Sequence, residues 1–282
     1  MKKMFNRNIT SNLVKVLSRR YIWKLASAVL AGILIGLISS IIWSASARAD
    51  DFFKCFDANE CTQALSSSTD CLNPRDYQIT TPNIGSSDVT VLSFHGGKIE
   101  PKTSEISKNL AKRYGWNRYD LYGNGTDACL NGKDNFQKLH ITATKFDDPN
   151  ALKLVKAHPK SVAIHGYRRD YRGIICVGGG NHTQVTTFID YVNEHKSAFQ
   201  SSSGGYQLIP VNATLSENQE AVCSGLKGTD PDNIVNKNGS GQGGLQLELS
   251  PGMRKDLSKL SEVKFNSLRD VIYDAVAQAM AD

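Results

Sequence analysis

The sequence predicts an α/β protein with a single domain, built on a mixed, mostly parallel sheet that is flanked by helices. The chain has 282 residues and 40% apolar residues, which is enough for one substantial core. Short apolar segments alternate with helical segments of ten or more residues, and such helices make crossover connections between parallel strands. Two apolar segments also end on His-Gly, at the edge where open α/β sheets bind ligands.

Six segments are predicted as strands because they are short, apolar and bounded by glycine, proline or polar residues. They are VTVLSF at 89–94, KLHITAT at 138–144, SVAI at 161–164, IICV at 174–177, YQLIPV at 206–211 and LQLEL at 245–249. Helix starts follow from capping residues. Thr103 is predicted to cap TSEISKNLAKRY, and Pro149 stands in the first turn of DPNALKLVKA. Two further helices are predicted, QVTTFIDYVNEH from residue 184 and a last one over about 262–280.

The positive net charge of the chain belongs to its first 49 residues. They hold eight of the 33 Lys and Arg residues and none of the 27 Asp and Glu residues. The other 25 basic and 27 acidic residues give 50–282 a net charge of −2. The overall charge of +6 is therefore no argument for nucleic-acid binding, and we expect no nucleic-acid partner.

Residues 1–49 have the pattern of an export signal. A basic start is followed by nineteen uncharged residues, 25–43, and by SASARAD, which suits cleavage after Ala49. The same uncharged stretch approaches the roughly 20 residues of a membrane span, so an uncleaved signal anchor is the alternative. In both cases the rest of the chain is expected outside the cytoplasm, either secreted or periplasmic, or anchored to the outer side of the cytoplasmic membrane. Membrane contact is expected only through this segment.

The cysteines agree with an exported protein. No CxxC pair of the zinc-ribbon type occurs, so we predict disulfides for several of the six, with the connectivity open and a buried free thiol as the alternative for any of them. Residues 50–86 are rich in Ser, Thr, Asn and Asp and are predicted to be a cysteine-containing extension, whereas 87–282 form the functional domain. The cysteines are Cys55, Cys61, Cys71, Cys129, Cys176 and Cys223.

The sequence places two histidines at strand ends. His95 and His165 each follow an apolar strand and precede a glycine, so both are expected at the same edge of the sheet. Glu100 follows His95 after five positions, and Gly96 and Gly97 allow the sharp turn that folds it back. Two histidines and a glutamate are the ligand set of many catalytic zinc sites. Each histidine alone is more often structural, so the pattern as a whole carries the prediction.

A second carboxylate is predicted in the strand LQLEL. The three leucines of this strand share one face, which leaves Gln246 and Glu248 on the other. A carboxylate in a short apolar strand is unfavourable unless it is paired, binds metal or transfers protons. Glu248 is therefore the candidate general base, and a solvent-facing residue of an edge strand is the alternative.

Other side chains are weaker candidates. His140 is predicted to touch substrate or a zinc-bound water, although a core histidine fits its apolar surroundings equally well. Arg254 is a candidate for binding a substrate carboxylate through its planar guanidinium, and the alternative is a charge on the first turn of a helix. Arg168 and two further arginines follow His165 within one loop, where they either attract an anionic polymer or are simply solvated.

Six motifs in a fixed order resemble the poly-γ-glutamate hydrolase family over about residues 86–258. They are HGGKIEPKTSEIS, LHITATKFDDP, SVAIHG, CVGGGN, GTDPDNIVNK and GGLQLELSPGMR. The resemblance implies a carboxypeptidase A-like fold and zinc-dependent cleavage of amide bonds formed through a glutamate side chain. Position by position, it implies His95, Glu100 and His165 as zinc ligands and Glu248 as the general base.

The implied substrate is an anionic γ-glutamyl polymer or peptide. Two alternatives stay open: hydrolysis of peptidoglycan stem peptides, which also contain γ-glutamyl links, and an envelope module with the same fold that binds without turnover. The second alternative is suggested by departures from the family motifs, such as Ala143 after LHIT and Lys237 after the NI motif. The sequence does not indicate an oligomeric state.

Overall fold

The computed structural model describes residues 76–80, 87–126, 130, 132, 134–168, 174–195, 207–210, 223–259 and 266–281. The predicted leader lies outside these residues, together with most of the predicted extension and four of the cysteines. Its export role stays a prediction. No helix in the described ranges is long and apolar enough to cross a membrane.

The described strands are β1 Tyr77–Thr80, β2 Val89–Gly97, β3 Asn117–Gly123, β4 Lys160–Gly166, β5 Ile174–Gly178, β6 Gln207–Pro210 and β7 Leu245–Leu249. They form one sheet in the order β1, β3, β2, β4, β7, β5, β6. Four neighbouring pairs are parallel, and only β1 with β3 and β5 with β7 are antiparallel. The predicted mixed, mostly parallel sheet is thus confirmed.

The described helices are α1 Thr103–Tyr114, α2 Asn135–Leu139, α3 Pro149–Ala157, α4 His182–Glu194, α5 Pro251–Ser258 and α6 Asn266–Ala281, with 3-10 turns at Ala143–Lys145 and Ile234–Asn236. The predicted start of α3 is confirmed, because Asp148 accepts hydrogen bonds from the first-turn N–H groups and Pro149 follows it. The predicted cap of α1 is wrong by one residue. Lys102 is the N-cap, and Thr103 is the first helical residue.

One face of the sheet carries the main core. Leu245, Leu247 and Leu249 of β7 pack there with apolar residues of α1, α4, α5 and α6. Gln246 and Glu248 alternate with these leucines and are buried on the opposite face, as the period of two predicts. Because α1, α4, α5 and α6 cover this face, the polar residues of β4 and β7 are left to build a site on the other.

One strand prediction is wrong, and two strands were not predicted. Residues 138–144 are not a strand, because Asp134 and Gln137 form a capping box that starts α2, and this helix ends at Leu139. The sequence analysis also missed β3, which pairs with β2 in the interior of the sheet. Its polar residues obscure the strand pattern, but they are buried and hydrogen-bonded. No strand was predicted in the extension 50–86 either, but β1 lies within it and forms an edge of the sheet.

A disulfide joins Cys176 of β5 to Cys223, 47 positions further along the chain. Both residues are buried and pack against Tyr167. The bond fixes the start of the loop 223–230 against the sheet. The prediction of disulfides is confirmed for this pair, whereas the other four cysteines lie outside the described residues.

The double variant Cys176→Ala, Cys223→Ala should be less stable than the wild type. Losing this cross-link frees a long loop in the unfolded chain, and we expect the free energy of unfolding to fall by about 2–4 kcal/mol. Urea denaturation of both proteins under oxidising conditions measures the difference. Equal unfolding free energies would show that the disulfide contributes nothing to stability.

Candidate active site

Three neighbouring parallel strands bring the candidate residues together. His95 lies near the end of β2, His165 near the end of β4 and Glu248 near the end of β7. These strands are consecutive in the sheet, and His165 is in direct register with Glu248. Adjacent residues in register lie on the same face, so an imidazole and a carboxylate are placed side by side by the sheet itself.

His95 reaches this face because β2 is irregular. Val89 and Val91 point into the helix-covered core, and strict alternation would send His95 the same way. The pairing of β2 with β3 shifts register between Ser93 and Gly96, which breaks the alternation. As a result the His95 ring faces His165, with Nδ1 of one 3.1 Å from Nδ1 of the other.

Glu100 is folded back onto His95 by a tight turn. Gly97 has φ +66°, which favours glycine, and the Glu100 N–H donates to the His95 carbonyl oxygen over 2.8 Å. Glu100 Oε1 then lies 3.0 Å from His95 Nδ1, while Oε2 accepts a 2.7 Å hydrogen bond from the Gly166 N–H. The carboxylate thus links the ends of β2 and β4.

A buried polar network supports this turn from behind. Ser104 Oγ accepts from the Gly97 N–H over 3.1 Å and donates to Asp120 Oδ1 over 2.7 Å. Asp120 in turn pairs with Arg118 over 2.6 Å. A Cβ atom on Gly96 would come within 1.9 Å of Ser104 Oγ, so the turn, α1 and β3 are in close contact here.

The ring nitrogens of His95 have defined roles. Nε2 lies 2.6 Å from the carbonyl oxygen of Ile141, and because a carbonyl only accepts, this nitrogen carries the proton. In the neutral ring, Nδ1 therefore presents a lone pair to the Glu100 carboxylate and to His165 Nδ1. Lone pairs this close repel one another unless a proton or a metal cation lies among them.

The spacing of these atoms suits a metal ion. The nitrogen and oxygen contacts among His95, Glu100 and His165 are 3.0, 3.1 and 3.7 Å. Ligands at about 2.0–2.2 Å in a tetrahedron around zinc lie about 3.3–3.6 Å apart. The three side chains are also 5% exposed or less. Their chemistry and spacing fit a buried zinc ion.

His140 defines an alternative metal set with His95 and Glu100, because one ligand atom from each lies within 4.8 Å of the others. Its ring lies between Phe136, at 4.2 Å, and His95, at 4.0 Å between centroids. His140 Nε2 is 3.7 Å from Glu100 Oε1. His140 is therefore part of the site and half-buried at its opening, although the strand predicted for it is absent.

Glu248 is held by two amide side chains. Asn233 Nδ2 donates to Gln246 Oε1 over 2.7 Å, which turns the Gln246 amide group so that Nε2 donates to Glu248 Oε1 over 3.0 Å. Glu248 Oε1 is 4.0 Å from His165 Nδ1, further than either oxygen of Glu100 is from its nearest imidazole. Glu248 thus lies beside the histidine cluster but further from the imidazole nitrogens than Glu100 does.

The site shifts the pKa values of its members in different directions. Burial alone would raise the pKa of Glu100, but the His95 and His165 rings outweigh it and lower the pKa. Burial and the Glu100 charge raise the pKa of Glu248 well above its usual value. Burial, with His95 beside it, lowers the pKa of His140 to about 3, so its ring is neutral near pH 7.

Arg254 lies in the first turn of α5, in agreement with the alternative interpretation, and its side chain is buried. Its guanidinium is buried and donates to the carbonyl oxygens of Pro101, over 2.7 Å, and Tyr167, over 3.3 Å. It also packs directly over Gly166, where a Cβ would come within 2.4 Å of its Cζ atom. In the described structure, Arg254 therefore joins the Glu100 turn to the end of β4, and its role in binding substrate stays a prediction.

The histidine cluster opens into a cavity of about 550 Å³, called the histidine cavity below. One wall is the loop 224–230, which begins beside the disulfide at Cys223. Hydrogen bonds hold this loop at Lys227 O, which accepts from the Gly179 N–H, and at Gly228 O, which accepts from Asn236 Nδ2. These hydrogen bonds hold the wall of the histidine cavity in place.

Sequence reasoning missed the residues that orient the main candidates. Asn233 lies in the GTDPDNIVNK motif and Gln246 in the LQLEL strand, but neither spacing showed that they meet. Ser104 and Asp120 also gave no signal, because one lies in a helix and the other in the strand that was not predicted. The one indication in the sequence was that Gln246 shares a face of the LQLEL strand with Glu248, which places a polar side chain next to this carboxylate.

These features define an α/β protein with a candidate metal centre at the carboxyl ends of its central strands. A family model for poly-gamma-glutamate hydrolase matches residues 63–279, and the chain belongs to this family. Members of the family are hydrolases. The predicted resemblance is confirmed.

Relatives and solved structures agree with this assignment. The UPF0714 protein YndL of Bacillus subtilis strain 168 is 31% identical over 192 residues, covering 68% of this chain and 64% of YndL. The SPbeta prophage-derived UPF0714 protein YoqZ of the same organism is 30% identical over 207 residues, covering 73% of this chain and 65% of YoqZ. The chain thus spans slightly less than two thirds of either relative.

Two solved structures share the fold. A bacteriophage poly-gamma-glutamate hydrolase superposes with a TM-score of 0.58 at 25% identity, covering 78% of this chain and 96% of that one. A zinc-free apo form of YndL superposes with a TM-score of 0.56 at 26% identity, covering 74% and 93%. The architecture of this chain is therefore that of a poly-gamma-glutamate hydrolase.

Gly96→Ala should disturb the site through the turn that positions Glu100. The added Cβ would also meet Leu121 O at 2.9 Å, a backbone atom that cannot rotate away, and overpacking of this kind costs about 1–3 kcal/mol. We expect a lower free energy of unfolding and weaker zinc binding by titration. Gly225→Ala is the matched control, because its Cβ would have no atom within 4 Å. Equal behaviour of the two variants would contradict the prediction.

Proposed function

We propose that this chain is a zinc-dependent hydrolase of γ-glutamyl amide bonds that acts outside the cytoplasm. The observation that carries the proposal is the buried cluster of His95, Glu100 and His165 with Glu248 beside it, in a chain of the poly-gamma-glutamate hydrolase family. The zinc-free form of the related YndL supports zinc as the metal. The disulfide Cys176–Cys223 supports an oxidising compartment, in agreement with the predicted leader.

His95, Glu100 and His165 would hold the zinc ion. The His95 and His165 rings are inclined by 70° with their Nδ1 atoms facing each other, so their lone pairs converge. The His95 and His140 rings are inclined by only 32° with centroids 4.0 Å apart, so their in-plane lone pairs run side by side. This difference favours His165 over His140 as the third ligand.

In this proposal Glu248 is the general base. Bound zinc supplies a Lewis acid that polarises the amide carbonyl and makes water nucleophilic near neutral pH. The Glu248 carboxylate takes a proton from the attacking water as its oxygen bonds to the carbonyl carbon. Glu248 then gives the proton to the nitrogen as the C–N bond breaks, which yields a carboxylate and an amine. Gln246 keeps the carboxylate oriented through both transfers.

His140 is assigned to substrate rather than to metal. Its half-buried ring lies between the Phe136 and His95 rings at the opening of the histidine cavity. A neutral ring in this place can donate one hydrogen bond to the carbonyl or carboxylate of a substrate. The two neighbouring rings restrict His140, so this hydrogen bond would have a defined direction.

Mutations of the two carboxylates, Glu248 and Glu100, should have different effects. Glu248→Gln is expected to retain zinc and lose turnover by roughly a hundredfold or more, because only proton transfer is removed. Glu100→Gln should weaken zinc binding itself. Zinc content and the rate of poly-γ-glutamate cleavage are measured on both variants, with the exposed Glu194→Gln as a control that changes neither. If Glu248→Gln sheds zinc while Glu100→Gln keeps it, the roles are reversed.

The third ligand is tested in the same way. His165→Ala should lose most of its zinc in equilibrium dialysis, whereas His140→Ala should retain zinc and show a raised KM. The reverse pattern would assign the metal to His140. If the wild type contains no zinc and His165→Ala changes no metal content, the zinc proposal is wrong. Assays of the wild type on both poly-γ-glutamate and peptidoglycan stem peptides separate the two γ-glutamyl substrates.

A further inference from the structure

A second cavity of about 500 Å³ adjoins the histidine cavity and is called the lysine cleft below. The two cavities share Glu100, Phe136, Gly166 and Arg168 in their walls. A chain lying across the histidine cluster can therefore continue into the lysine cleft without leaving the surface of the protein. The cleft lies beside the Glu100 turn and the start of α5.

The lysine cleft is strongly cationic. Five basic side chains line it against two acidic ones, and these two are already engaged. Glu100 belongs to the histidine cluster, and Asp134 pairs with Arg168. The basic residues are Lys98, Lys102, Arg168, Arg254 and Lys255.

Three lysines carry the charge that remains for a ligand. Lys98 and Lys255 are exposed and make no ion pair with the described residues. Lys102 pairs with Glu105 over 2.9 Å, but both side chains are more than two-fifths exposed, and such surface pairs contribute little. Residues 50–282 have a net charge of −2, so the positive field of the cleft is local and does not reflect the charge of the whole domain.

Lys102 has an unfavourable backbone conformation. Its φ is +83°, and it is the one residue other than glycine with positive φ in the described ranges. The side chain does not cap α1, which begins at the next residue. Glycine would adopt this conformation without strain, so the fold alone would favour glycine here. An unfavourable backbone conformation of this kind is often found at functional sites, and here it occurs at a lysine that lines the cleft.

We propose that Lys98, Lys102 and Lys255 bind carboxylates of a polyanionic substrate chain on one side of the scissile bond. This inference rests on the proposed function and specifies its substrate as a polymer that extends beyond the reacting amide. Flexible ammonium groups suit this task, because successive carboxylates of a mobile chain do not present one fixed geometry as a single bidentate site does. A short γ-glutamyl peptide would leave the lysine cleft empty.

Binding of poly-γ-glutamate tests the proposal in the Glu248→Gln background, where turnover does not interfere. Replacing all three lysines, with Lys98→Ser, Lys102→Gly and Lys255→Ser, should weaken the affinity about tenfold or more and reduce its dependence on salt. The matched control removes three exposed lysines that line neither cavity, with Lys112→Ser, Lys153→Ser and Lys156→Ser. Equal affinities of the two triple variants would overturn the proposal.

The single variant Lys102→Gly separates function from folding. We expect its melting temperature to equal or exceed that of the parent, because the backbone strain is relieved, while its affinity for the polymer falls about two- to fivefold. An unchanged affinity would show that Lys102 does not bind the polymer.

The measurements distinguish a failure of the lysine cleft from a failure of the proposed function. If the wild type binds poly-γ-glutamate through the three lysines but does not cleave it with zinc present, the hydrolase proposal fails and the lysine cleft stands. If the wild type cleaves the polymer while the variants of the three cleft lysines bind it as tightly as their parent, the hydrolase proposal is supported and the proposed role of the lysine cleft is refuted.

Discussion

The parallel pairing of β2, β4 and β7 is the constraint on which the site depends. Parallel neighbours end at the same edge of the sheet, so residues at their carboxyl ends meet however far apart they lie in the chain. His95 and His165 are 70 positions apart, yet their Nδ1 atoms lie within 3.1 Å. Helices α1, α4, α5 and α6 cover the opposite face, and the site opens into the histidine cavity on this one.

With both rings neutral, the cluster at this edge is unfavourable for the fold unless a proton or a metal cation lies within it. In the neutral His95 ring, Nε2 donates to the Ile141 carbonyl oxygen, so the Nδ1 lone pair faces a carboxylate in a buried setting. The surrounding structure holds these groups in place through the Glu100 turn, the Ser104 and Asp120 network, and the Arg254 guanidinium over Gly166. A metal that binds only the folded chain would return stability to it.

Prediction from sequence succeeded where the pattern of apolar and polar residues along a segment matches the burial of these residues in the fold. LQLEL has a regular alternation, so the buried placement of Glu248 beside Gln246 follows from a period of two. It failed at KLHITAT, whose helix begins at a cap before the apolar residues, and at β3. Asn117, Arg118 and Asp120 make β3 look like a loop, and only contacts with residues elsewhere in the chain satisfy them in the interior.

The sequence by itself determined the fold class, the family and the set of side chains at the strand ends, because period, capping and motif order are local properties of the chain. Only the tertiary structure decided which of these side chains converge. Alternation along β2 would have sent His95 into the helical core, and the register shift against β3 turned it to the site. The tertiary structure also decided that Arg254 is buried and hydrogen-bonded to two carbonyl oxygens, and that three lysines line one cleft. Both arrangements depend on contacts between segments that are distant in the sequence.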